Sequence, residues 1–195
     1  MRIFPTGGSE LRNNADRFFV ITGGPGSGKS TLIEALHQLG YARSVEAGRA
    51  IIRDQVAIDG PALPGKNPAL FPEFMLCWEM RNYHLAEASA GIVFFDRGVP
   101  DVLGYLRLKG LAIPTHLQNA AKNFRYNHGV FIAPPWQEIF EQDRERKQDF
   151  EEAARTYDSM VAIYTEYGYE LIELPRASVE ERVQFVLHTV TSLPR

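Results

Sequence analysis

The chain has 195 residues, 45% of them hydrophobic, and a formal net charge of −3. It can bury a substantial single core and has no global attraction for nucleic acid or membrane. The lone Cys77 excludes an intrachain disulfide and fits a reducing compartment. No signal-peptide core opens the sequence and no apolar run approaches about 18 residues, so a soluble, cytoplasmic protein is expected.

Residues 1–15 are polar and glycine-containing, which predicts a loose N-terminal extension ahead of one domain over 16–195. Residues 17–22 read as a buried strand and 29–39 as a helix that stops at Gly40. A weaker strand is expected over 41–46, followed by the helical stretch AGRAIIRDQVAI. DGPALPGKNPALFP carries four prolines between Pro61 and Pro72, so it forms no regular element and is long enough to be a mobile loop. A helix over 72–90 leads into GIVFFD, the second clear buried strand, and HGVFIAPP and GYELIELP supply two more. Between these last strands, Ala153, Tyr157, Met160, Val161 and Tyr164 form one helical stripe suited to packing on a sheet. The tail helix opens with a capping box, Ser178 with Glu181. Alternating strands and helices predict a parallel sheet covered on both faces.

The stretch Gly23-Gly24-Pro25-Gly26-Ser27-Gly28-Lys29-Ser30, with Thr31 next, matches G-x-x-x-x-G-K-[ST] between a strand and a helix. Glycines let successive amides turn inward around phosphates, and the helix after them adds its positive end. Lys29 is expected to reach the β- and γ-phosphates, and Ser30 to ligate Mg²⁺. ATP and Mg²⁺ are therefore the expected ligands.

Residues beyond the phosphate loop separate reaction classes. Asp96, at the end of IVFFD, is succeeded by Arg97 and not by the second carboxylate of a hydrolytic motor. Asp96 can hold Mg²⁺ or orient an acceptor hydroxyl, and Arg97 can touch a phosphate or an anionic substrate. No N-K-x-D guanine-reading motif is present. Glu46 ends the second predicted strand, with Arg49 and Arg53 three and seven residues on, giving one candidate face for a general base and an anionic acceptor group. EQDRERKQD gathers Arg144, Arg146 and Lys147 on the route to the last strand, where a lid would close over the γ-phosphate. Dispersed arginines on an acidic chain give no basic channel for a polynucleotide.

GGPGSGKST, FFDRG and the basic stretch before the last strand resemble P-loop nucleoside and nucleotide kinases. The longer run EAGRAIIRDQ…FFDRGVPDVLGYL…VFIAPPWQEI…QDFEEAARTYDSMVAIYTEYGYELIELP more closely resembles the small AAA-type predicted ATPases, grouped with ribosylnicotinamide kinase-like domains. The resemblance covers about 17–187. It implies a three-layer α/β P-loop NTPase with a five-stranded parallel sheet in the kinase-like order 2-3-1-4-5. It also puts Glu46 where nucleoside kinases carry their base and Asp96-Arg97 where they carry an Asp-Arg pair. Gly98 departs from the Ser that deoxynucleoside kinases favour there. The expected function is transfer of the γ-phosphoryl group of ATP·Mg to a small hydroxyl acceptor, nucleoside-like or another metabolite. The alternative is a nucleotide-dependent regulatory module that hydrolyses slowly and binds a protein partner.

Overall fold

The structure is a computed structural model and describes residues 14–140 and 149–193. Most of the N-terminal extension, and Arg144, Arg146 and Lys147 of the expected lid, lie outside the described residues.

The apolar run FFVITG forms β1 (Phe18–Gly23), every residue of it buried. It is the middle of a five-stranded sheet ordered β2-β3-β1-β4-β5, all parallel, with β2 (Ala42–Arg43), β3 (Val93–Asp96), β4 (Gly129–Ala133) and β5 (Glu170–Glu173). The three inner strands are continuous apolar runs because helices cover both faces. Alternation still sorts them. Phe18, Val20, Val93, Phe95, Val130 and Ile132 face one layer, formed chiefly by α3 (Phe71–Glu87), α4 (Val99–Leu108) and α6 (Phe150–Glu166). Phe19, Ile21, Phe94 and Phe131 face α1 (Lys29–Gln38) and α7 (Val179–Ser192).

Two elements differ from expectation. The strand expected over 41–46 pairs only at Ala42 and Arg43. Beyond them Ser44 replaces the ladder: its amide donates to Phe94 O at 3.0 Å, and its hydroxyl accepts from the Asp96 amide at 3.0 Å. Glu46 therefore does not end a strand but is the N-cap residue of α2 (Ala47–Ala57). The second difference is α4 and α5 (Thr115–Asn123), which fill 97–127, where no element is predicted. Gly104 lets α4 close on α6, since a Cβ there would sit 2.7 Å from Met160 Sδ.

The proline-rich stretch is irregular, as expected, but it is tied down. Gln55 of α2 accepts from the Ala62 amide through its side chain (3.0 Å) and from the Gly60 amide through its carbonyl (2.7 Å), and Ala62 is fully buried. The capping box of α7 forms, with Glu181 N donating to Ser178 Oγ and Ser178 N donating to Glu181 Oε2. On α6 the buried stripe runs through Ala153, Thr156, Met160, Ile163 and Tyr164. Tyr157 and Val161 lie at its margin, and Tyr157 Oη reaches Glu173. Among the described residues no helix is long and apolar enough to cross a membrane.

Candidate active site

The carboxyl ends of the strands open on one edge of the sheet, where open α/β folds collect ligands. From β1 the chain enters residues 23–28, with left-handed φ at Gly23 (127°), Gly26 (71°) and Gly28 (75°). At Gly26 a side chain is also barred by space, because a Cβ would lie 2.5 Å from the Phe140 ring. No side-chain hydrogen bond caps α1 at Gly28, and its first turn stands at the loop with its positive end toward the cavity.

Lys29 is buried across this loop, donating to Gly24 O and, at 3.2 Å, to Ser27 Oγ. Ser30 Oγ lies 3.4 Å from Asp96 Oδ2. A hydroxyl opening α1 thus meets a carboxylate ending β3. The pair suits Mg²⁺, which takes few protein oxygens and completes its shell with phosphate and water. Among the described residues no cluster of three or more His, Cys, Asp or Glu suggests another metal.

Arg97 occupies the turn after β3 with φ 72°, a conformation that costs a non-glycine residue energy. The surrounding bonds enforce it. Its amide donates to Ile21 O at 3.2 Å, and Nη1 donates to Gly23 O and Asp101 Oδ1, each at 3.0 Å. Burial works against its charge, but Asp101, Glu46 and Asp96 outweigh burial and push its pKa above the ordinary value. Asp101 is the organising acid. It also accepts from Thr22 Oγ1 (2.6 Å), Tyr164 Oη (2.6 Å) and the Gly98 amide (3.0 Å). The sequence pattern does not mark it, because its partners come from β1 and α6.

Glu46 is drawn into the same edge, with Oε2 3.0 Å from Arg49 Nε and Oε1 3.6 Å from Arg97 Nε. Arg53 does not join. Its side chain is 73% exposed, and among the described residues it pairs only with Asp54, at 3.9 Å. Seven residues on, it stands about 10 Å further along α2, two turns from the sheet edge. Glu79 of α3 is buried beside this network, and burial, then the charge of Asp101, push its carboxyl well above its ordinary pKa.

Two cavities meet here. One, of about 580 Å³, is lined by Pro25 to Thr31, Glu46, Arg49 and Arg97, with Trp136, Phe140 and Arg182 opposite. The other, of about 750 Å³, lies between α2, the proline-rich stretch, α3, α4 and α6. Its wall is mostly apolar, with Ile52, Leu63, Phe71, Met75 and Met160, and it carries Tyr105 and the Lys109–Glu152 pair (2.9 Å). The Tyr105 hydroxyl is buried without a partner among the described residues, and burial, then Glu152, push its pKa up to about 12. Pro25 and Arg97 belong to both cavities.

The sequence model of a family described as AAA domain matches residues 18–182. No curated protein matches the sequence. Among solved structures, a deoxyadenosine kinase from M. mycoides with the products dCMP and a flexible dCDP bound is similar, with TM-score 0.62 and 15% identity over 90% of this chain and 100% of that one. The same enzyme with bound dATP aligns with TM-score 0.56, again at 15% identity and over the same shares of both chains. A NadR protein in complex with NR aligns with TM-score 0.67 and 17% identity over 91% of this chain and 52% of that one. At these identities the likeness shows the fold, that of P-loop kinases.

Proposed function

This chain belongs to that AAA-domain family, and from this premise we propose that it is an ATP·Mg²⁺-dependent phosphotransferase acting on a small hydroxyl acceptor, nucleoside-like or another metabolite. The observation that carries the reading is the junction of the two cavities at Arg97 and Pro25. A hydrolase needs only the phosphate cavity. A second, largely apolar cavity of about 750 Å³ beside it is the shape of an acceptor site. The similar structures named for a deoxyadenosine kinase and for bound NR support a nucleoside-like acceptor.

The residues divide the work by position. Phosphoryl transfer passes through a loose transition state that leaves the protein mostly positioning and charge neutralisation. Lys29 leaves the Gly24 carbonyl for the β- and γ-phosphates. Arg97, fixed by Asp101, faces the transferred group from the acceptor side. Glu46 accepts the hydroxyl proton of the acceptor, while Arg49 and Arg97 hold the carboxylate in place. Ser30 and Asp96 would hold Mg²⁺, which supplies charge neutralisation at the β/γ oxygens. The Tyr105 hydroxyl, buried in the second cavity, is the candidate donor to a polar atom of the acceptor.

The test is a screen of nucleosides and other hydroxyl metabolites for stimulation of ADP production. Stimulation by one chemical group of acceptors supports the kinase. A slow basal rate that no acceptor moves favours the regulatory module.

A further inference from the structure

Arg182 lies in the second turn of α7, on the face that Val183, Val186 and Val190 bury against the sheet. Its exposure is 3%. A guanidinium carries five N–H donors and a permanent charge. Among the described residues those donors find one acceptor: Nη1 donates to the Ser27 carbonyl at 3.1 Å. Nε is buried without a partner. No carboxylate among the described residues pairs with it, and its neighbour Glu181 is committed to the Ser178 amide at 3.0 Å. Burial pulls its pKa below the ordinary value. Arg97 is also buried, but three carboxylates hold its charge.

A buried charge without a counter-ion costs stability, and an apolar residue would complete the valine stripe better. The place of the charge supplies the missing term. Arg182 forms part of the wall of the phosphate cavity with residues 25–31, Ser178 and Val179. It approaches so close to the loop that a Cβ on Gly28 would lie 2.7 Å from its Nη1.

We propose that Arg182 is a nucleotide-binding residue, a cation held behind the phosphate loop whose counter-ion is the polyphosphate of the bound nucleotide. The assignment rests on the nucleotide-binding reading of the loop. Lys29 meets the phosphates from within the loop, and Arg182 adds a second cation from the C-terminal helix. The Ser27 carbonyl holds its guanidinium in place, and burial strengthens its pull on an anion. The contact also couples α7 to occupancy of the site.

The proposal predicts effects of opposite sign. Arg182→Met removes a charge that no described residue of the empty protein neutralises, so its melting temperature without nucleotide should equal or exceed that of wild type. Its Kd for ADP and for ATP should rise about tenfold, the scale of one lost charge-assisted contact. Arg182→Lys keeps the charge and should bind more tightly than Arg182→Met. Titration calorimetry with ADP, and thermal melts with and without it, read both quantities. An Arg182→Met protein that melts lower or does not fold marks a structural strut and overturns the proposal. So does one that binds both nucleotides with wild-type Kd. Wild-type protein that binds neither nucleotide overturns the reading of the loop itself, a separate result.

Discussion

The Arg97 guanidinium donates to the Asp101 carboxylate at 3.0 Å, and this ion pair fixes one of the two residues that line both cavities. The same carboxylate takes Thr22 from β1 and Tyr164 from α6. One acid of α4 thus ties the phosphate loop, the wall of the larger cavity and α6 together.

Asp101→Ala should therefore cost stability as well as turnover. It leaves a buried guanidinium short of its main partner and two buried hydroxyls without an acceptor, a loss of about 3–5 kcal/mol for breaking a buried pair. Urea unfolding measures it. A loss below about 1 kcal/mol, as for an exposed pair, would show that Asp101 does not hold the junction.

Glu79 predicts a pH signature. Its carboxyl is held well above the ordinary value of 4.5, so the folded chain keeps a proton that the unfolded chain releases above that pH. The stability this contributes is complete below the unfolded value. It declines as pH rises toward the folded value, at up to ~1.4 kcal/mol per pH unit. Glu79→Gln should match wild type near about pH 4 and be the more stable protein near about pH 8. Parallel stability profiles for the two proteins would contradict the assignment of the proton.

Lys29→Ala should fold normally and lose turnover by about 10²–10³, the usual cost of one preorganised charge-stabilising group. Steady-state ADP production, with circular dichroism as the folding control, checks it. Wild-type turnover in the folded variant would remove Lys29 from the chemistry.

Glu46→Gln and Asp96→Asn should separate acceptor and metal roles. The first should lower acceptor-stimulated turnover by about 10²-fold or more while ATP·Mg affinity stays near wild type. The second should shift the Mg²⁺ dependence of turnover to higher concentration, because Asp96 lies beside Ser30. Interchanged phenotypes would exchange the two assignments.

The inner sheet and the phosphate loop are legible in the sequence because each is a local signal. Phe18–Gly23 and Val93–Asp96 are unbroken apolar runs, and the loop has fixed spacing between a strand and a helix. The strand order comes from resemblance, and the structure has it. The edge is harder to read. Residues 41–46 look like a strand, yet an edge strand needs only two paired residues when Ser44 completes the link with its side chain. That shortening turns Glu46 into an N-cap, while Arg53, two turns along α2, is turned out to solvent. Asp101 and the apolar cavity leave no mark because their partners are distant in the chain. Arg182 has a signal of its own, a lone cation on the apolar stripe of an amphipathic helix, which only its buried position against Ser27 makes meaningful.

The kinase reading stands on one step, in which the γ-phosphoryl group crosses from the loop cavity to a hydroxyl held in the apolar cavity. Incubating the protein with γ-labelled ATP, Mg²⁺ and a panel of nucleosides and other hydroxyl metabolites, then separating the products, follows that group directly. Transfer predicts label on an organic acceptor, in step with ADP formation, and its loss in Glu46→Gln. Label recovered only as inorganic phosphate, at a rate no acceptor changes, would contradict it.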